Sequence, residues 1–183
     1  MNTVEPIRDL NTVQDIAQYL RKDSERNYVL FAFGIYSGLR ISDILKMRVR
    51  DVKNKNYIYL RERKTGKEKR FAINDELKSI LKKYVANKEE YEYLILSPEG
   101  KNKPISRQQA YNILSEAGHE FGLDAIGTHT LRKTWGYHTY QATKDIVTIQ
   151  EILNHSSPSI TLRYIGVNQD NKDKVMKTVS FKI

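Results

Sequence analysis

The apolar residues of this chain recur at helical spacing over most of its length and change to alternation only once, near the middle. Residues 56–60 (NYIYL) and 70–73 (RFAI) have the β-branched and aromatic composition of strands, and residues 64–67 (KTGK) between them predict a turn. Residues 93–96 (YLIL) predict one more short strand. So little alternation supports only a small antiparallel sheet, and the sequence therefore predicts a mostly helical α+β domain.

Helical periodicity, capping residues and chain breakers predict the helices around this sheet. Thr12 followed by Asp15 resembles a capping box, Ser37-Gly38 predicts a break, and Pro158 suits the first turn of a helix. The predicted helices are 12–21, 24–36, a short one from residue 40, 74–84, 106–121, 128–141, 145–153, one from about residue 158, and 168–179 as a final helix or tail. With 183 residues, we expect a single domain.

The chain is strongly basic. Lys and Arg total 31 against 22 Asp and Glu, which gives a formal net charge of +9. Each phosphate that a protein cation neutralises releases counterions, so this balance favours an anionic polymer as the partner. The alternative is a basic protein whose lysines are merely solvated.

Cysteine is absent from the sequence, which excludes disulfides, thiolate metal sites and cysteine nucleophiles. The N-terminal MNTVEPIRDL lacks the apolar core of a signal peptide, and the longest apolar run, residues 29–36, is too short to cross a bilayer. These features predict a cytoplasmic protein that does not enter a membrane.

Six polar residues spread along the chain form the candidate site. They supply two guanidinium groups, an ammonium, two imidazoles and a phenol, and they are Arg40, Lys64, His129, Arg132, His155 and Tyr164. Guanidinium groups match the geometry of phosphate and stay charged, so the two arginines are candidates to clamp a phosphodiester. Each arginine taken alone is better explained as a surface phosphate contact or an ion pair, because basic proteins have many of both.

Tyr164, expected near the start of its helix, is the candidate nucleophile. A free phenol has a pKa of about 10, so it needs a base or a strong positive potential to attack at neutral pH. His129 shares a predicted helix face with Arg132 and is the candidate to bind the phosphate or accept the proton. Lys64, at the tip of the predicted hairpin, is the candidate to protonate a leaving 5′ oxygen, although neighbouring lysines compete for that role.

Asp43 follows Arg40 by three residues and is predicted to share its helical face. It either orients a catalytic cation without reacting or takes part in ordinary charge pairing along the helix. The histidines of the chain lack the spacing of a metal site and no acidic cluster accompanies them, so the sequence predicts no metal. Electrostatic stabilisation would then fall to side chains alone.

Three segments in order resemble the phage integrase, or tyrosine recombinase, family. SGLRISDILKMRVRDV (37–52) resembles the family's T-G-L-R-x-S-E-L segment, and RKTGKEKRFAI (63–73) resembles its lysine-bearing β-turn. The stretch from HTLRK to TLRYIG (129–166) resembles H-x-L-R-H-T…L-G-H-S-S…T-x-x-Y, including the spacing from His155 to Tyr164. The resemblance covers roughly residues 5–170, and separated segments in the right order are far more specific than a short motif.

This resemblance implies a site-specific recombinase of double-stranded DNA, an integrase of a mobile element. Tyr164 would form a transient 3′-phosphotyrosine bond, the other five residues would activate it, and neither a metal nor a nucleotide cofactor would be needed. The family also implies strand exchange in a tetramer on DNA, with the segment 168–183 docking on a neighbour. Away from DNA a monomer is expected.

The chain departs from the family pattern at three places. Asp43 stands where glutamate is usual, and Asn154 replaces the usual glycine before His155, where asparagine tolerates a left-handed backbone better than most residues. Arg40 comes too early for the usual N-terminal core-binding domain to precede it. The sequence is therefore expected to be one catalytic domain over residues 1–183, as a minimal member or as a fragment of a larger integrase.

Other functions remain open at this point. The expected absence of the core-binding domain would suit a non-catalytic DNA-binding accessory protein derived from a recombinase. Such a protein, however, would be expected to have lost some of the six side chains. A type IB topoisomerase-like enzyme shares the chemistry, and a basic helical scaffold with accidental motifs is the least specific alternative.

Overall fold

A computed structural model describes residues 4–61, 68–178 and 180 of the chain. The helices are α1 (Leu10–Asp23), α2 (Glu25–Ser37), α3 (Ile41–Ile44), α4 (Asp75–Tyr84), α5 (Arg107–Glu120), α6 (Thr130–Thr143), α7 (Ile146–Leu153), α8 (Pro158–Tyr164) and α9 (Val167–Thr178), with a 3₁₀ turn at Val49–Asp51. Strands β1 (Tyr57–Arg61) and β2 (Glu68–Ala72) pair antiparallel, with Ile58 opposite Phe71. The predicted α+β, mostly helical fold is confirmed. Within the described residues, no helix is both long and apolar enough to cross a membrane.

Two local predictions are wrong. Residues 93–96 do not extend the sheet, because they make only isolated bridges, from Arg48 to Tyr93 and from Leu96 to Pro104. The consecutive residues Leu94 and Ile95 are both fully buried, so the segment runs through the core and does not alternate between two faces.

The start of α1 also differs from the prediction. Asp9 caps the helix, because its carboxylate accepts from the backbone N–H groups of Asn11 and Thr12. The Thr12 hydroxyl donates to the same carboxylate at 2.8 Å, so Thr12 lies inside the helix and is not its cap. The acid that caps an N-terminus satisfies otherwise unpaired backbone donors, and here that acid comes one turn earlier than Thr12.

Helix α2 is the central element of the fold, and it packs directly against α6. The contact requires glycine at position 34, since a Cβ there would lie 2.4 Å from Leu131 Cδ1. Gly38 ends α2 in the left-handed conformation, with φ of 63°. This close packing brings the loop after α2 beside the N-terminal end of α6.

A separate apolar cluster holds α7 and α8 together and lies under the end of α8. Ile149 and Leu153 from α7 pack with Ile165 and Val167, which follow α8, and all four are buried. Partly buried aromatic residues, including Tyr164, pack against this cluster. The C-terminal end of α8 is thereby fixed against α6 and α7.

Candidate active site

The structure brings together five of the six residues that the sequence singles out. They come from the loop after α2, the N-terminal end of α6, the loop between α7 and α8, and the end of α8; they are Arg40, His129, Arg132, His155 and Tyr164. The sixth, Lys64, lies outside the described residues. Residues far apart in sequence thus surround a single phenol.

Tyr164 is the last residue of α8, so the prediction that it lies near a helix start is wrong. Helix α8 is only seven residues long and begins at Pro158, so Tyr164, six positions later, is at its C-terminal end. The Tyr164 hydroxyl lies 3.4 Å from His129 Nδ1. Its ring meets the His155 ring edge to face, with centroids 4.8 Å apart.

Burial raises the pKa of the Tyr164 phenol, while the positive charges of Arg132 and Arg40 oppose that rise. The phenol is therefore protonated at neutral pH, and attack requires a proton acceptor. His129 Nδ1 is the nitrogen within reach.

Arg132 is almost fully buried and connects two loops of the site. One terminal nitrogen donates to the carbonyl of Gly38, just before Arg40, and the other donates to the carbonyl of Leu153 at 2.8 Å. Burial lowers the pKa of the Arg132 guanidinium, and the neighbouring charge of Arg40 lowers it further, whereas Tyr164 and Asp43 raise it. The guanidinium is therefore held rigidly before any ligand arrives.

Arg40 is exposed at the N-cap of α3 and lines an open cleft of about 800 Å³ together with Arg132. The cleft is rich in cations and also contains a tyrosine and one carboxylate. Its further lining includes Asp43, Lys46, Tyr59, Arg61 and Arg107. Asp43 lies close enough to Arg132 to affect its pKa, and its predicted orienting role stays a prediction.

Both histidines of the site are held by local backbone geometry. His129 is the N-cap residue of α6, so it precedes the helical face on which Arg132 lies. His155 follows Asn154, whose φ of 56° confirms the predicted left-handed backbone, and His155 Nδ1 lies 3.1 Å from the Thr161 hydroxyl.

Burial and neighbouring arginines, Arg132 and Arg40 in each case, lower the pKa of both His129 and His155. Both imidazoles are therefore neutral at neutral pH. A neutral His129 can accept the phenolic proton.

Sequence reasoning missed two cations of this region. Arg107, the first residue of α5, lines the cleft and lowers the pKa of His129. Lys133 is buried, and its Nζ lies 5.1 Å from the centroid of the Tyr164 ring. Lys133 directly follows Arg132 and lies one helical turn after His129, which was a usable signal, whereas nothing local distinguishes Arg107 from the other arginines.

The described part of the chain contains no cluster of three His, Asp or Glu side chains suited to hold a metal ion. Its polar groups instead suit the binding of an anion, because guanidinium groups and neutral imidazoles surround the phenol.

Comparison with known proteins identifies the family. Residues 8–171 match the phage integrase family. The probable integrase/recombinase YoeC of Bacillus subtilis (strain 168) is 54% identical over 170 residues, which cover 93% of each protein. Tyrosine recombinase XerA of Pyrococcus furiosus is 28% identical over 158 residues, which cover 85% of this chain and 55% of XerA.

Solved structures share the fold. The crystal structure of XerA recombinase superposes with a TM-score of 0.73 at 18% identity, covering 97% of this chain and 65% of that one. The XerH site-specific recombinase bound to its difH substrate superposes with a TM-score of 0.70 at 19% identity, covering 88% of this chain and 50% of XerH. This chain thus spans nearly all of YoeC but only about half to two thirds of the Xer proteins. It belongs to the phage integrase family of tyrosine recombinases.

Proposed function

We propose that this chain cleaves and rejoins double-stranded DNA through a covalent bond between the Tyr164 oxygen and a 3′ phosphate. The observation that carries the proposal is the convergence of a phenol, a neutral imidazole and two guanidinium groups from separate segments at one place. Family membership supports the same reaction.

The reaction begins with attack of the Tyr164 oxygen on phosphorus. The phenolic proton passes to His129 Nδ1, which lies 3.4 Å away. The bond from phosphorus to the 5′ oxygen breaks, and Lys64 is proposed to protonate that oxygen as it leaves. In the rejoining step a 5′ hydroxyl attacks the phosphotyrosine and returns its proton to Lys64, while the bond to Tyr164 breaks and the phenol recovers its proton from His129.

Arg40 and Arg132 are proposed to neutralise the non-bridging oxygens of the phosphate in the transition state. Arg132 is suited to this because two carbonyl groups already fix its guanidinium, so no reorganisation is needed when charge develops. His155 would donate to the same oxygens or hold the ring that it contacts, and Asp43 would orient Arg132. With this charge supplied by side chains, the reaction is proposed to need no metal ion or other cofactor.

Strand exchange is proposed to take place in a tetramer on DNA, with the segment 168–183 docking on a neighbouring copy and a monomer prevailing away from DNA. Helix α9 suits a docking role because Val175 and Met176 are 67% and 78% exposed. A mobile element is the proposed origin and the cytoplasm the proposed location. The XerH structure bound to difH is a precedent for a DNA substrate.

The test compares the wild-type chain, Tyr164→Phe and Tyr91→Phe on fragmented DNA from the source organism. Tyr91 is 59% exposed and serves as the matched control. Protein–DNA adducts that resist SDS are collected with and without EDTA, and the attached ends are sequenced. We expect adducts at one clustered site from wild type and Tyr91→Phe, none from Tyr164→Phe, and no effect of EDTA.

Each other outcome points elsewhere. Adducts that persist in Tyr164→Phe would overturn the assignment of the nucleophile. Scattered adducts would indicate a topoisomerase-like activity, and DNA binding without adducts from wild type would indicate an accessory protein.

A further inference from the structure

Lys133 is a buried cation beside the candidate nucleophile. It is 6% exposed, and its Nζ donates to the backbone carbonyl of Val4 at 2.7 Å. The same Nζ lies 5.1 Å from the centroid of the Tyr164 ring, within the range of a cation–π contact. Among the described residues, no carboxylate forms a salt bridge with Lys133.

The burial of this ammonium is unfavourable unless its contacts offset the loss of water. Burial is the main cause that lowers the pKa of Lys133, although nearby Glu5 raises it. A buried ammonium needs polar or aromatic partners to offset its lost hydration. Among the described residues, Lys133 contacts the Val4 carbonyl and the Tyr164 ring. Because Lys133 is buried, it does not reach a DNA backbone in the way that an exposed arginine of the cleft does.

The Tyr164 ring packs against the apolar cluster of α7 and α8, and two polar side chains contact the ring itself. His155 meets the ring edge to face at 4.8 Å, and Lys133 is the cation over it. At the end of the side chain, the hydroxyl hydrogen-bonds with Arg132 and lies 3.4 Å from His129 Nδ1. The Lys133 contact adds to these restraints, so its loss would leave the tilt of the ring less restricted.

The partner carbonyl of Lys133 belongs to a segment that is itself anchored. The Ile7 N–H donates to the Thr134 hydroxyl at 2.9 Å, and His138 Nε2 lies 2.9 Å from the Ile7 carbonyl, so residues 4–8 lie along α6. Arg8 pairs with Asp170 of α9 at 2.7 Å. The N-terminal segment thus connects α6 to the helix that follows the nucleophile.

We propose that Lys133 is a positioning residue, which holds the Tyr164 ring and the Val4 carbonyl together and so makes residues 4–8 part of the strand-cleavage apparatus. The proposal rests on the proposed function of Tyr164. It concerns the orientation of the ring, and the ammonium itself takes no part in proton transfer.

Two variants at position 133 separate the contacts of Lys133, and a third variant, at position 88, provides the control. Lys133→Met removes both contacts, whereas Lys133→Gln removes the charge but keeps an N–H donor for Val4. Lys88→Met is matched to them, because Lys88 Nζ lies 4.6 Å from the ring of Tyr84, away from the cleft. Each protein is examined for single-turnover cleavage at saturating DNA, for DNA affinity, and by NMR of ¹³C-labelled tyrosine, with the Tyr164 signal assigned from Tyr164→Phe.

The expected result is a cleavage rate about tenfold lower in both Lys133 variants, with DNA affinity unchanged and the Tyr164 signal shifted. Lys88→Met should cleave like wild type and leave the Tyr164 signal in place. If Lys133→Met does not fold, Lys133→Gln decides the matter, because its amide keeps an N–H donor for the part-buried Val4 carbonyl.

Cleavage at the wild-type rate by a folded Lys133 variant, or an unmoved Tyr164 signal, would overturn the proposal. A fall in DNA affinity equal to the fall in rate would also overturn it, since it would assign Lys133 to binding. Failure of the proposed function gives a different result, because wild type itself would then form no adduct, while the NMR comparison would still report whether Lys133 orients the ring.

Discussion

The bridging role of Arg132 makes a specific prediction about stability. Replacement by methionine, which has a similar length and no donors, leaves the carbonyl groups of Gly38 and Leu153 without their partner. An unsatisfied buried carbonyl costs about 1–3 kcal/mol, and relief of the desolvation of a buried guanidinium offsets part of that. We therefore expect Arg132→Met to lower the free energy of unfolding by about 2–4 kcal/mol, or the melting temperature by about 5–15 °C.

The assay is urea denaturation without DNA, followed by circular dichroism, with Arg107→Met as the control. Arg107 is exposed and lines the same cleft, so its replacement should change stability by less than about 0.5 kcal/mol. Arg132→Lys should fall between the two, because one ammonium does not reproduce the two-armed geometry of the guanidinium. Equal urea midpoints for Arg132→Met and Arg107→Met would refute the view that Arg132 holds the two loops together.

Three further predictions concern the backbone and the histidines. Because folding lowers the pKa values of His129 and His155, the unfolded chain binds more protons than the folded chain below about pH 6.5, and the free energy of unfolding should fall as the pH decreases through that window. A variant with glutamine at both positions should show a smaller fall in urea titrations. Parallel curves for wild type and this variant would contradict buried neutral imidazoles. Asn154→Ala should lower stability by about 1 kcal/mol while Asn154→Gly does not, and equal melting temperatures for the two would exclude strain at that left-handed position. Gly38→Ala should lower the free energy of unfolding by about 1–3 kcal/mol and reduce adduct formation, because the new Cβ would lie 2.4 Å from the Trp135 ring and the backbone φ is 63°. A variant with wild-type stability and wild-type adduct yield would rule out this close packing.

Local chemistry explains which parts of the fold could be predicted. The predicted helices 74–84 and 106–121 begin close to where they were expected, at caps formed by Asn74 and Ser106, because each of these side chains accepts from a backbone N–H three residues ahead. Asn154 adopts the left-handed backbone for a reason equally visible in sequence, since it directly follows a helix at a position where glycine is usual. These signals involve neighbours within one turn, so a single sequence contains them.

The strand prediction for residues 93–96 failed on a property that depends on distant residues. Whether residues 93–96 pair as a strand depends on which segments lie beside them, and their partners are near residues 48 and 104. The position of Lys133 beside Arg132 was visible in the sequence, but its contact with the Val4 carbonyl was not, because Val4 is 129 positions away. Sequence reasoning selected residue types suited to phosphate chemistry but did not reveal how the phenol is held.

The pKa shifts at the site bear on how Tyr164, the proposed nucleophile, would stay protonated in the free protein. Burial raises the pKa of the Tyr164 phenol and lowers that of His129, so both shifts oppose proton transfer from one to the other. A bound phosphodiester would add negative charge beside His129, which favours the imidazolium form, and charge developing on the phosphate would meet the fixed guanidinium of Arg132. The burial that disfavours ionisation of the phenol in the free protein also strengthens these interactions once a phosphodiester is bound, because water no longer screens them. We therefore expect activation to depend on the arrival of the substrate, with no ionised tyrosine present beforehand.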